Sequence, residues 1–217
     1  MARSVVSTVV AVVILSRAGL AVAADPGNCL TSEEAILLQA INDYRVDEGH
    51  AAVPWSKSLT EVAQWHVWDL ETNHPDAPAD CNLHSWSDQG SWTEVCYTAD
   101  HAQASLMWSK PNEITGGVYF AAGYEIAYYA SAGATAGGAL AAWKASPGHN
   151  DVILNQEIWA SRDPWPAMGA GIFGDYAVVW FGDMTDPRGS ITDCVADEIF
   201  SDGFESGNTS VWKTTVP

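Results

Sequence analysis

The sequence predicts an α+β domain, with helices packed around a small antiparallel sheet, and three observations carry this. Apolar side chains recur at helical spacing over residues 32–48 and again over 58–70. Residues 134–144 form a further helical run built of small residues. Residues 168–173 and 176–181 are apolar runs joined by Gly174-Asp175, a pair suited to a tight hairpin turn. Helices grouped around one antiparallel unit make an α+β arrangement.

The chain opens with Arg3, an apolar run over residues 5–15, and Ala21, Ala23 and Ala24 ahead of Asp25. This is the pattern of a secretory signal peptide, and the run is too short for a permanent span, so residues 1–24 are expected to be cleaved on export. No later segment reaches transmembrane length. In the first helix Ala35, Leu38, Ile41 and Tyr44 follow a cap at Thr31/Ser32, and Gly49 ends the run. The second helix is expected to begin at Ser58, with Glu61 completing a capping box. Its inner stripe is Leu59, Val62, Ala63, His66 and Leu70, which makes His66 a core or boundary residue.

Residues 73–100 hold Pro75, Pro78, Asn82, Gly90 and two cysteines without a sustained period, the composition of a long stapled loop. The apolar run 118–129 fits a strand or a helix. Beyond Lys144, Ser146 is placed to cap a new helix and Pro147 to sit in its first turn, where no amide proton is needed. His149 then falls in that first turn, where free amides and the helix dipole disfavour an imidazolium. Pro164 and Pro166 mark a loop. Residues 25–187 are read as the domain and 188–217 as an acidic tail anchored at its start by Cys194.

A net charge of −18, spread along the chain, repels phosphate backbones and anionic headgroups and argues against nucleic acid as a partner. Four cysteines in an exported chain imply two disulfides, for which three pairings are open. Cys81–Cys96, closing a local loop, and Cys29–Cys194, tying the ends, are favoured. A cysteine metal site has little support without a C-x-x-C pair. The mature length and a 47% hydrophobic composition suit one monomeric domain with a sizeable core.

Five segments taken in order are AINDYR, CNLHS with His84, AGYEIAYY with Glu125, WKASPGHN with His149, and AMGAGIFGDYAVVWFGDM. Together, over residues 32–187, they resemble the CAP superfamily of cysteine-rich secretory, antigen 5 and pathogenesis-related 1 proteins and bacterial SCP-like extracellular domains. The resemblance implies an α-β-α sandwich with a central cleft lined by two histidines and two acidic residues. His84, Glu125 and His149 fall on three of those positions, and Ser146 stands where the family's other glutamate would be. Tyr124 and Ile126 replace the flanking glycine and asparagine, and Trp180 stands in for a glutamine. A register slid by one residue would put Tyr124 at the glutamate position.

Two neutral imidazoles with a carboxylate orienting one of them can hold Zn²⁺ and leave positions for water. Without a third protein ligand the metal is expected to be labile, held by His84 and His149. The expected function is non-enzymatic binding of a lipid, sterol-like or cell-surface ligand, at a cleft of His84, Glu125, His149 and Ser146, by a protein that is secreted or retained at the periplasm or surface. The alternative is a metal- or serine-dependent hydrolase of peptide or cell-wall material, with Ser85 or Ser146 beside His149 and Glu125. No G-x-S-x-G elbow is present, and capping accounts for Ser146. Of eleven tryptophans, Trp55, Trp65, Trp143 and Trp180 belong to core-forming elements. Trp86, Trp92, Trp159 and Trp165 fall in loops, as a stapled loop core or as a platform for sugar rings. His50, His74 and His101 show no sequence partner. The stretch IFSDGFESGNTSVW resembles tails that end various exported bacterial proteins.

Overall fold

Strand β3 (Tyr176–Gly182) lies between β1 (Gly123–Tyr129) and β2 (Ala167–Phe173), antiparallel to both. The structure is a computed structural model and describes residues 26–194. The signal-peptide region and residues 195–217 of the tail lie outside the described residues. Gly174, at a φ of 57°, and Asp175 form the turn between the paired Phe173 and Tyr176, as the Gly-Asp pair predicts.

Alternation along the central strand sets up the layers. Ala177, Val179 and Phe181 point into one core cluster, while Tyr176, Val178 and Trp180 point into the other. Both faces are covered, so the strand is apolar throughout. Helix α1 (Ser32–Asp47) brings Leu37, Leu38 and Ile41 to the first face, joined by Ala139 and Trp143 of α5 (Ala136–Ala145). Helix α2 (Lys57–Asn73) covers the second with Leu59, Val62, Ala63, Val67 and Leu70. Burying each large aliphatic side chain contributes about 2 kcal/mol. The result is the α-β-α sandwich that the sequence predicts.

The backbone of α2 comes unusually close to β2 because β2 is AMGAGIF. A methyl group added at Gly169 would stand 2.2 Å from the Thr60 amide nitrogen, and one at Gly171 would stand 2.4 Å from the Ala63 carbonyl oxygen. Any side chain at either glycine would push the helix off the sheet.

The cap of α2 differs from expectation. It is Ser56, whose hydroxyl accepts from the Leu59 amide at 3.0 Å. Ser58 lies in the first turn, where the Asp186 carboxylate accepts from its hydroxyl at 2.7 Å and from its amide at 2.6 Å. Glu61 pairs instead with Arg188. The full capping box belongs to α1, where Thr31 and Glu34 satisfy each other's backbone amides.

Two short helices that the sequence reading does not resolve, α3 (Ala104–Trp108) and α4 (Lys110–Ile114), follow the stapled loop. The ambiguous run resolves as a strand only from Gly123, because Tyr119 turns into the core and its hydroxyl donates to the Met184 carbonyl at 2.7 Å. Both expected disulfides are formed, Cys81–Cys96 and Cys29–Cys194. Residues 188–194 return to the body: Ile191 joins the core, the Leu30 amide donates to the Thr192 carbonyl, and the Cys194 amide donates to the Leu30 carbonyl. Among the described residues, no helix is long and apolar enough to cross a membrane.

Candidate functional site

Strand alternation decides where Glu125 points. Tyr124 and Ile126 face the α1 side, so Glu125 between them faces α2. Tyr124 belongs to the opposite face, where its hydroxyl donates to Asp183 at 3.0 Å, and the carboxylate on the α2 side is that of Glu125. The Glu125 side chain is fully buried.

Two imidazoles satisfy it. His66, on the buried stripe of α2, is hydrogen-bonded through Nδ1 to Glu125 Oε2 and donates from Nε2 to the Ser85 carbonyl at 2.9 Å. Both ring nitrogens therefore face acceptors. His66 stacks on Trp86 with centroids 4.2 Å apart and planes 5° apart. His84 donates from Nδ1 to Glu125 Oε1 at 2.7 Å, so the Glu125 bond is made by Nδ1 and not by Nε2. Burial opposes ionisation of Glu125, but the charge and hydrogen bonds of His66 and His84 together hold its pKa below the ordinary carboxylate value.

His149 stands in the first turn of α6 (Pro147–Ile153), as expected. Ser146 occupies the N-cap position but makes no capping bond; its hydroxyl instead meets His149 Nδ1 at 2.9 Å. Burial lowers the His149 pKa, and the neighbouring His84 lowers it further. Both causes favour the neutral ring. Tyr97 closes the far side of His84, edge to face at 5.4 Å, and reaches His101 Nδ1 with its hydroxyl at 3.0 Å. Burial, and then the Glu125 charge, raise the Tyr97 pKa.

The structure thus joins His84 to Glu125, couples His149 electrostatically to His84, and joins Ser146 to His149. It does not join Glu125 to His149. Ser85 is fully buried, with its hydroxyl accepting from the Tyr97 amide at 2.9 Å. The sequence reading placed His66 in the core without its role at the site; the one signal was an ionisable ring on an otherwise apolar helical stripe. His101, read as partnerless, bonds to Tyr97, and His50 lies 3.5 Å from Asp163. The loop tryptophans Trp86 and Trp165 are fully buried, as the loop-core reading has it. Among the described residues, no group of three or more His, Cys, Asp or Glu is arranged to hold a metal. His84 and His149, the two expected ligands, are near enough for the His84 charge to act on His149.

A family model described as the cysteine-rich secretory protein family (CAP) matches residues 38–158. Among solved structures, the chain is similar to an extracellular protein containing an SCP domain from Bacillus anthracis, at 17% identity and a TM-score of 0.46, with 69% of this chain and 40% of that one covered. It is similar to a cysteine-rich secretory protein from Staphylococcus aureus at 14% identity and a TM-score of 0.44, covering 70% and 38%. An outer surface protein from Borrelia burgdorferi gives 16% identity and a TM-score of 0.45, covering 69% and 91%. The chain spans less than half the length of the first two. No curated protein matches it. With a family match over more than half of its residues, the chain belongs to the cysteine-rich secretory protein (CAP) family.

Proposed function

We propose that this protein is an exported, non-enzymatic binding domain whose cleft presents His84 and His149 to a divalent metal and to a lipid, sterol-like or cell-surface ligand. The observation that carries the choice of binding over hydrolysis is the use made of Glu125. Both of its oxygens are engaged by His66 and His84, so no carboxylate orients His149 as a base for Ser146. Ser85 is buried with its hydroxyl committed to a backbone amide, which removes the other nucleophile of the hydrolase reading.

The metal reading is supported by the tautomer of His84. A carboxylate that accepts from one imidazole nitrogen fixes the ring and raises the basicity of the other, the usual arrangement behind a metal-ligating histidine. A Zn²⁺ bound there would polarise an oxygen of the ligand or of water. A groove of about 620 Å³ along α1, lined by Ala35, Ile36, Ala40 and Trp55 but also by Ser32, Gln39, Asp43 and Asp193, shares no residue with the histidine cleft, so a lipid-like ligand seated there would lie apart from it. The signal-like N-terminus and the two disulfides support export to an oxidising compartment.

The test combines activity and extraction. The exported chain is assayed against peptides and peptidoglycan, and its bound small molecules are identified by mass spectrometry. The expected result is no turnover and a co-purifying lipid or cell-surface component. Turnover abolished by His149→Ala in a folded protein would overturn this reading in favour of the hydrolase.

A further inference from the structure

Trp65, Trp68 and Trp92 wall a groove of about 400 Å³ beside α2, completed by Gln89, Ser91 and Ile114. The three indoles are neither fully buried nor free. Trp65 meets Trp68 edge to face at 5.8 Å and Trp92 at 5.9 Å with a tilt of 56°, so they form one continuous aromatic wall. The wall is held rigid on both sides. Trp65 and Trp68 project from α2, whose backbone is locked against β2. The Trp92 indole N–H donates to the Ser87 carbonyl at 2.9 Å, and the ring packs so tightly on Gly90 that a methyl group there would lie 2.2 Å from it. The Cys81–Cys96 disulfide closes the loop that carries Gln89–Trp92.

We propose that this groove is a subsite for a neutral pyranose of a glycan chain, stacked on the tryptophan wall and hydrogen-bonded by Gln89 and Ser91. Pyranose rings carry apolar C–H faces and polar hydroxyl edges, and the groove offers the same division. Its floor is aromatic; its rim is an exposed Gln89, whose amide nitrogen is held by Asp88 while the carbonyl oxygen is left to accept, and the exposed Ser91. No lining residue is charged, and the chain's net charge of −18 disfavours an anion. Acidity favours a cation, and aromatic cages do bind quaternary ammonium groups. Here, however, neighbouring rings touch at 5.8 and 5.9 Å and leave no gap for a cation between two faces. A quaternary ammonium would also leave Gln89 and Ser91 unused.

The groove is separate from the histidine cleft. Trp86 stands between them, with Trp92 on one side at 5.1 Å and His66 on the other at 4.2 Å. The fate of the metal reading therefore does not decide this one. The test titrates the full exported chain with N,N′,N″-triacetylchitotriose, cellotriose and choline chloride, read by tryptophan fluorescence and by NMR shifts of the indole N–H groups. A saturable response to either trisaccharide is expected. Trp68→Ala should weaken it about tenfold or more. Gln89→Ala, at an exposed position where folding is not at stake, should weaken it measurably, and His84→Ala should leave it unchanged. Absence of saturable binding by both sugars, equal binding by wild type and the Gln89→Ala variant, or saturation by choline alone would overturn the proposal.

Discussion

His84 donates its Nδ1 proton to Glu125 at 2.7 Å across 41 residues of sequence, and so fixes which nitrogen it offers to the cleft. Removing the acceptor removes the choice. Glu125→Ala leaves two imidazoles without their shared partner and should lower stability by about 3 kcal/mol. Zinc binding should weaken about tenfold or more. Glu125→Gln should keep more of the stability, because an amide can accept from His84 and donate to His66. Urea unfolding and zinc titration of both variants check this.

Gly169 and Gly171 let α2 lie directly on β2, and α2 carries His66. Gly169→Ala should destabilise by about 3 kcal/mol through overpacking against backbone that has nowhere to move. The same change should shift the His66 ring resonances in NMR spectra. An alanine with native stability and unshifted resonances would contradict the close contact.

The Cys81–Cys96 bridge closes a loop with a sequence separation of 15 that holds His84. Replacing both cysteines by serine should cost about 3 kcal/mol of stability. A weaker response to zinc should accompany the loss, since the loop then places His84 less firmly. Thermal melts with and without zinc provide the measurement.

Asp186 links the start of α2 to the segment after β3, and its pKa shift has a sign that can be tested. Burial opposes its ionisation, but the Ser56 and Ser58 hydroxyls and the Ser58 and Arg188 amides outweigh burial and hold the pKa below the ordinary aspartate value. The unfolded chain therefore binds this proton more readily than the folded one. The stabilisation is complete above the ordinary value of about 3.9 and is lost as pH falls through the lower folded-state value. Asp186→Asn should be less stable than wild type at neutral pH, and the gap should close on acidification. Urea midpoints across that range test it.

The layers were legible because they follow from local periodicity. The α2 stripe of Leu59, Val62, Ala63, His66 and Leu70 is wholly buried, and the Gly-Asp hairpin forms where the two apolar runs meet. What the sequence hid depends on contacts between distant segments. Ser58 resembles a cap until Asp186, 128 residues away, takes both its hydroxyl and its amide. His66 reads as core until Glu125, 59 residues away, turns a buried ring into half of an ionisable pair. Trp86 and Trp165 sit in segments without periodicity, yet both are fully buried, because loops that fold back over a core bury side chains without any repeat to announce it.

The Cys29–Cys194 bridge joins points separated by 165 residues and makes the body a closed covalent ring. A single cut in an exposed loop between them leaves one molecule of unchanged size until the bridge is reduced. Tension applied at the two ends of the chain runs through the sulfur atoms, so the sheet and the histidine cleft stay outside the load path.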